Sequence, residues 1–126
     1  MIRRFTVKLR ENEMKDITDE INYNLTTADY PEGAVTLQSL DGATAIVLMN
    51  EKDDLTVEIN RMIASRASFT DKSRSPVNIS ASIKTAILGG SLSIVFEDSK
   101  ILLPVGKRVF AVNFEGEKNI EIVIHI

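Results

Sequence analysis

A chain of 126 residues, 44% hydrophobic and 26% charged, has the length of one domain and the composition of a folded, water-soluble protein, which excludes disordered, collagenous and coiled-coil classes. Its formal charge of -3 argues against a general nucleic-acid surface, because non-specific phosphate binding needs a concentrated field of Lys and Arg. With no Cys and one His, disulfides, thiolate zinc sites, cysteine nucleophiles and multi-histidine metal clusters are excluded, and chemistry falls to carboxylates, lysines, hydroxyls and backbone groups.

The amino-terminal run Met1-Ile2-Arg3-Arg4 leads into alternation and not into an apolar stretch, so no signal peptide is expected. No segment has the length to span a bilayer, no membrane partner is expected, and the cytoplasm is the expected compartment. Phe5, Val7 and Leu9 alternate with Thr6 and Lys8, the period-two pattern of a strand with one buried face. Ile17, Ile21 and Leu25 then recur at helical spacing, with Thr18 as the expected cap and Asp19 and Glu20 in the first turn, where carboxylates suit the positive end of the helix. After Pro31-Glu32-Gly33, residues 34–40 alternate again, Asp41-Gly42 marks a turn or kink, and Thr44 to Met49 reads as a fully buried strand.

Asp53 and Asp54 precede Leu55, Ile59, Met62 and Ile63, one apolar stripe of a second helix behind a plausible cap. Ser65 to Ser80 is polar and rich in Ser, Arg and Lys, which predicts a long surface loop. Ile83, Ala86, Ile87 and Leu88 give the apolar face of a third, short helix, stopped by Gly89-Gly90. The remainder predicts an antiparallel meander of strands over 91–96, 100–103, 108–114 and 119–126. In the last of these Ile120, Ile122, Ile124 and Ile126 share one face, which predicts a buried carboxyl-terminal strand. The expected class is α+β: a single domain over 1–126 with a β-sandwich-like core of antiparallel or mixed sheet and about three helices.

Local chemical signals are few. His125 lies opposite the isoleucines and reads as a strand-end or interface residue without a catalytic role. In Asn50-Glu51-Lys52-Asp53-Asp54 the carboxylates serve either helix capping or a hard cation; Glu51 is the one least needed for capping and so the candidate metal ligand. Gly89-Gly90-Ser91 serves either as a helix stop or as a source of backbone N–H groups for a phosphate. Arg61, Arg66, Lys72, Arg74 and Lys84 form either a solvated surface or an anion-binding cluster. A Ser or Thr nucleophile has no His base to complete a triad.

Two longer stretches, Thr44-Ala45-Ile46-Val47-Leu48-Met49-Asn50-Glu51 and Asn78 through Leu92, with Ser82-Ile83-Lys84 and Leu88-Gly89-Gly90-Ser91-Leu92 inside it, are similar in order and spacing to the YjbQ family. Members are described as secondary thiamine-phosphate synthases and carry a His-Thr-Thr/Ser-Ala segment running into Asn-Glu, then a His-Ile-Lys-Ala…Leu-Gly-x-Ser-Leu segment. Ile17 to Ile21 resembles the family's first helix, and Phe114-Glu115-Gly116 falls at its last hairpin. The resemblance implies an α+β sandwich-like fold, a homotrimer, and sites in clefts near subunit boundaries.

The family's histidines are replaced. The first falls at Asp41 or Gly42, the His of His-Ile-Lys is Ser82, no His lies between Ser65 and Ser80, and the family's Trp-Gln pair corresponds to Gly106-Lys107. A hydroxyl does not titrate near neutral pH and is a poor base or soft-metal ligand. The expectation is therefore a catalytically degenerate homotrimer with a residual cleft for a small phosphorylated ligand, lined by Asn50, Ser82, Lys84, Gly89 and Ser91. The alternatives are an active thiamine-phosphate synthase-like transferase, in which Lys84 steadies the leaving phosphates and Glu51 holds Mg²⁺, and a purely structural or regulatory assembly subunit.

Overall fold

The computed structural model describes residues 1–67 and 76–126, with backbone alone at residues 60, 63–67 and 76–80. Its elements run β1 (Ile2–Leu9), β2 (Glu13–Asp16), α1 (Thr18–Leu25), β3 (Gly33–Ser39), β4 (Thr44–Asn50), α2 (Leu55–Ala67), α3 (Pro76–Leu88), β5 (Ser91–Glu97), β6 (Lys100–Ile101), β7 (Lys107–Asn113) and β8 (Lys118–His125). They build a five-stranded sheet in the order β1-β8-β3-β5-β6 and a three-stranded sheet in the order β2-β7-β4, and every recorded strand pair is antiparallel. The α+β expectation holds.

Three layers follow from which side chains face which way. The inner face of the large sheet presents Val7 and Leu9, Val35 and Leu37, and Ile120, Ile122 and Ile124. It meets Ile46, Val109 and Ala111 from the small sheet, while α1 closes one end with Ile17, Ile21 and Leu25. Alternation places these residues on one side of each strand, and burying each stabilises the fold by roughly 1.5–3 kcal/mol before chain entropy is charged. The other face of the small sheet offers Ala43, Ala45, Val47, Phe110, Val112 and Phe114 to the helices, where Ile59 of α2 and Ala81 of α3 cover it.

Several local expectations are corrected. Strand β2 is additional, and its pairing with β7 continues past its end, since Ile17 N–H donates to Val109 O (2.9 Å). Thr18 does not cap α1. Its hydroxyl is buried against β7 and accepts the Val109 N–H (2.9 Å), so the Asp16 carboxylate takes the Thr18 N–H instead (2.9 Å). At α2 Asp54 does cap, accepting the Thr56 N–H (3.0 Å) and hydroxyl (2.6 Å). Met62, expected inside, is 60% exposed.

The expected loop over 65–80 is helical at both ends, through Ala67 and again from Pro76, which stands at the first position of α3 where its missing N–H costs nothing; Lys72 and Arg74 lie outside the described residues. The face of α3 is corrected in part, since Ile83 and Leu88 do pack against the cluster between this helix and the small sheet while Ala86 and Ile87 are exposed. Ala81, Lys84 and Thr85 are buried, whereas Ile87 is 63% exposed. Small Ala81 lets the helix approach the phenylalanines of the small sheet, and the Thr85 hydroxyl is satisfied by Ala81 O (3.0 Å).

The expected meander is overturned as well. After the β5–β6 hairpin, β7 inserts between β2 and β4, and β8 returns to the large sheet between β1 and β3. Asn113 explains the swing. Its buried amide donates to Gly116 O (2.6 Å) and Arg10 O (3.0 Å), holding the β7–β8 turn out of hairpin geometry and against the β1–β2 turn.

Candidate functional site

The small sheet has two distinct ends. At one end gather the β1–β2 turn (10–12), the β3–β4 turn (40–43) and the β7–β8 turn (114–117). Antiparallel pairing of Thr44 with Asn113 fixes β4 and β7 there, and Phe114 N–H donates to Ala43 O (3.0 Å). At the other end Asn50 pairs with Lys107. Six residue steps of strand separate the ends by about 20 Å.

Lys84 belongs to the first end. Its Nζ lies 5.2 Å from the centroid of the Phe114 ring, within the range of cation–π attraction, and the residue is 6% exposed. Burial pulls its pKa below the ordinary lysine value, and the Glu11 carboxylate of the β1–β2 turn acts in the opposite direction. The ammonium thus sits in a partly desolvated seat where an anion is attracted more strongly than in water.

The surrounding turns are tied down by a polar network. Asp41 accepts the Ala43 N–H (2.8 Å) and the Thr44 hydroxyl (3.2 Å) and pairs with the Lys118 ammonium (3.0 Å). Burial alone would raise the Asp41 pKa, but the Ala43 N–H, Lys118 and the Thr44 hydroxyl outweigh it and hold it below 3.8. Thr44 also reaches the Asn113 Oδ1 (3.4 Å), which joins the β3–β4 turn to the clamp between the other two. Gly42 and Gly116 border open space, because a Cβ on either meets nothing within 4 Å. The seat is therefore framed by fixed backbone with room beside two of its turns.

The other expected site residues are dispersed. Ser82 is two residues from Lys84, roughly 200° around the helix, and is exposed where Lys84 is buried. Gly89, at φ +94°, ends α3; its N–H donates to Thr85 O (2.7 Å) and its carbonyl accepts from Ile46 N–H (3.0 Å). Gly90 O accepts from Ser39 N–H (2.8 Å), so this turn stitches β3 to β4. Ser91 pairs with Gln38 and is exposed in β5.

Asn50 and Glu51 stand at the far end of β4, in a shallow pocket of about 370 Å³ lined with Lys52, Asp53 and Gly106. The Asn50 amide donates to the Asp53 carboxylate (3.1 Å), and Glu51 N–H donates to Gly106 O (3.0 Å). Among the described residues no group of three or more His, Cys, Asp or Glu is placed to hold a metal. His125 pairs with Ile2 and Thr36 in the large sheet. The residues that reasoning from sequence missed are Glu11, Asn113 and the ring of Phe114. An Asn two residues before Glu115-Gly116 is a turn signal for Asn113, while nothing near Glu11 marks it.

The architecture defines an α+β domain in which two antiparallel sheets pack face to face and a helical pair covers the smaller one. A sequence profile described as UPF0047 protein YjbQ-like matches residues 3–126, and the chain belongs to that family. Solved structures with the same fold include an uncharacterised conserved protein of the YjbQ/UPF0047 family from Clostridium acetobutylicum, with 18% identity, TM-score 0.86 and 98% of each chain covered. A hypothetical protein from Aeropyrum pernix is 19% identical with TM-score 0.85, over 99% of this chain and 96% of that one. A conserved hypothetical protein from Thermus thermophilus is 18% identical with TM-score 0.82, over 98% of both. No curated protein matches. Among the described residues no helix is long and apolar enough to cross a membrane.

Proposed function

We propose that this YjbQ-like protein is a cytoplasmic homotrimer that has lost the chemistry of its family and keeps a seat for the phosphate of a small phosphorylated ligand, with Lys84 as the contact. The observation that carries the proposal is the Lys84 ammonium, held over Phe114 at 5.2 Å and 6% exposed, beneath turns locked by Asn113 and Asp41. A cation needs no titrating partner to hold a phosphate, so this role survives replacement of the imidazoles by Asp41 or Gly42 and Ser82. Asn50 and Glu51 lie too far along β4 to touch the same phosphate within one chain. In the trimer they reach a ligand at Lys84 only from a neighbouring copy.

Thermal unfolding tests the seat. Inorganic phosphate or pyrophosphate is expected to raise the Tm of the wild-type chain, with no rise in Lys84→Ala, because a ligand selective for the native state adds to its stability. Formation of thiamine phosphate from its two phosphorylated precursors with Mg²⁺ present, abolished by Lys84→Ala, would instead establish an active transferase. Neither activity nor stabilisation would leave an assembly subunit. The trimer stands separately, and a monomer in sedimentation at micromolar concentration overturns it.

A further inference from the structure

The end of the large sheet opposite Lys84 carries a cavity of its own. There the loop between α1 and β3 (26–32) meets the pair that Gly33 of β3 makes with Phe96 of β5, around a space of about 220 Å³. The length of β8, roughly 23 Å, separates it from the turns around Lys84. Phe96 is buried, and a Cβ on Gly33 would come within 3.4 Å of its ring, at a φ of +154° that side chains rarely adopt. With no Cβ there, the ring stays within reach of the cavity it lines.

The loop is tied to both sides of the sheet. The Arg3 guanidinium of β1 donates to Thr27 O (2.9 Å) and to the Thr27 hydroxyl, and the Ser99 N–H of the β5–β6 turn donates to Pro31 O (2.9 Å). Asp29, Tyr30 and Glu32, beside these ties, line the cavity. The cations at this end are engaged, since Arg3 holds Thr27 and the Met1 ammonium at the rim donates to Ile126 O (3.1 Å). Asp29 and Glu32 make no hydrogen bond or ion pair with any described residue.

We propose that this cavity binds a small organic cation, an alkylammonium whose charge is met by Asp29 and Glu32 and whose apolar body lies against Phe96, Tyr30 and Ile126. The site is separate from the phosphate seat and does not depend on it. Aromatic rings attract a cation through their negative faces, and here one ring is fixed in the core while the other, Tyr30, is 74% exposed and free to close on a ligand. A metal ion is poorly served, because a hard cation takes about six to eight oxygen ligands and the side chains of Phe96, Ala34 and Ile126 supply none. An anion is repelled by both carboxylates. Ties on both sides of the loop hold its acidic and aromatic side chains near the cavity before a ligand arrives, which lowers the ordering cost of binding.

The test is an NMR titration of the full chain with choline chloride and with neohexyl alcohol, its uncharged counterpart in which carbon replaces the nitrogen. Choline is expected to move the backbone amide signals of Gly33 and Phe96 and to bind about tenfold more tightly than the alcohol. The double variant Asp29→Asn with Glu32→Gln keeps the side-chain sizes and removes both charges, and is expected to bind the two compounds alike. Tyr30→Ala is expected to weaken choline binding by roughly threefold. All three substituted residues are exposed, and the same spectra report whether each variant keeps the wild-type fold. Gly33 and Phe96 signals unmoved by choline, equal affinity of the wild type for the alcohol, or undiminished choline binding by the folded double variant each overturns the proposal.

Discussion

The small sheet has two faces that are built from the same three strands and do opposite things. The face turned to the large sheet is dry: Ile46, Val109 and Ala111 meet a wall of Val, Leu and Ile with no charged side chain among them. The face turned to the helices holds apolar residues too, yet Lys84, Thr85 and Thr56 are buried in the layer that covers it. A helix laid on a sheet by a small residue such as Ala81 leaves room at its flank for a long side chain, whereas interdigitating β-branched residues from two sheets leave none. The larger apolar core lies on one face, and the buried lysine and threonines of the helices lie on the other.

That contrast can be broken or sharpened by substitution. The largest effect is expected for Ile122→Ala on the dry side, a loss of about 2–5 kcal/mol in urea unfolding, because the residue is fully buried on a strand flanked on both sides in the large sheet. A loss below about 1 kcal/mol would show that the two sheets are not the stabilising interface. Asp41→Asn comes next, with a loss of about 1–2 kcal/mol at pH 7, since it weakens an ion pair whose two side chains are 25% and 28% exposed together with two hydrogen bonds at the turn. The sign of its pH dependence follows from its lowered pKa. The stability Asp41 contributes is fully present above its ordinary value of 3.8 and is lost as pH falls through its lower folded value, so the variant should show a flatter acid limb.

Lys84→Met should change stability at pH 7 by no more than about 1 kcal/mol, in the stabilising direction, because it removes a partly desolvated charge while retaining apolar contact with Phe114. The folded pKa of Lys84 lies below the ordinary 10.5, so the unfolded chain binds its proton more tightly. The penalty is complete below the folded value and fades as pH rises toward 10.5, and the gap between wild type and variant should narrow over that window. A gap that widens with pH would mean that Lys84 is stabilised by its setting. Smallest of all is Arg4→Ala, whose pair with Glu121 has side chains 60% and 43% exposed; a Tm shift within about 2 °C, for a stability change under about 0.5 kcal/mol, is expected.

The same contrast governs how much is legible from the residues alone. Strands β1, β3, β4 and β8 announce themselves because a dry interface requires apolar residues at every second position. Strand β2, Glu13-Met14-Lys15-Asp16, has one apolar residue and is a strand only because β7 offers it an edge. Hydrophobic alternation also says nothing about which sheet a strand joins, which is why it predicts a meander where the chain changes sheets twice. On the helical side the apolar count favours Ile87 over Lys84, and the packing of Ala81 reverses the two. Family likeness singles out Lys84, but it does not show the Asn113 clamp that brings the β1–β2 and β7–β8 turns together beside Phe114. Asn50 and Ser82, close to Lys84 in motif order, are separated from it by the length of a strand and by the thickness of a helix.

The position of β8 has a consequence for how the protein comes into being. Among the described residues β1 pairs within its sheet with β8 alone, and β8 also supplies one of the two partners of β3. During synthesis β1 emerges first and then waits for nearly the whole described chain before any strand can join it in that sheet, leaving Phe5, Val7 and Leu9 with no completed layer to enter. Folding is therefore slow for a domain of this size, because its decisive pairing closes a very long loop. Until β8 arrives, the nascent chain exposes the strand edges and the apolar face that chaperones recognise and that aggregation exploits.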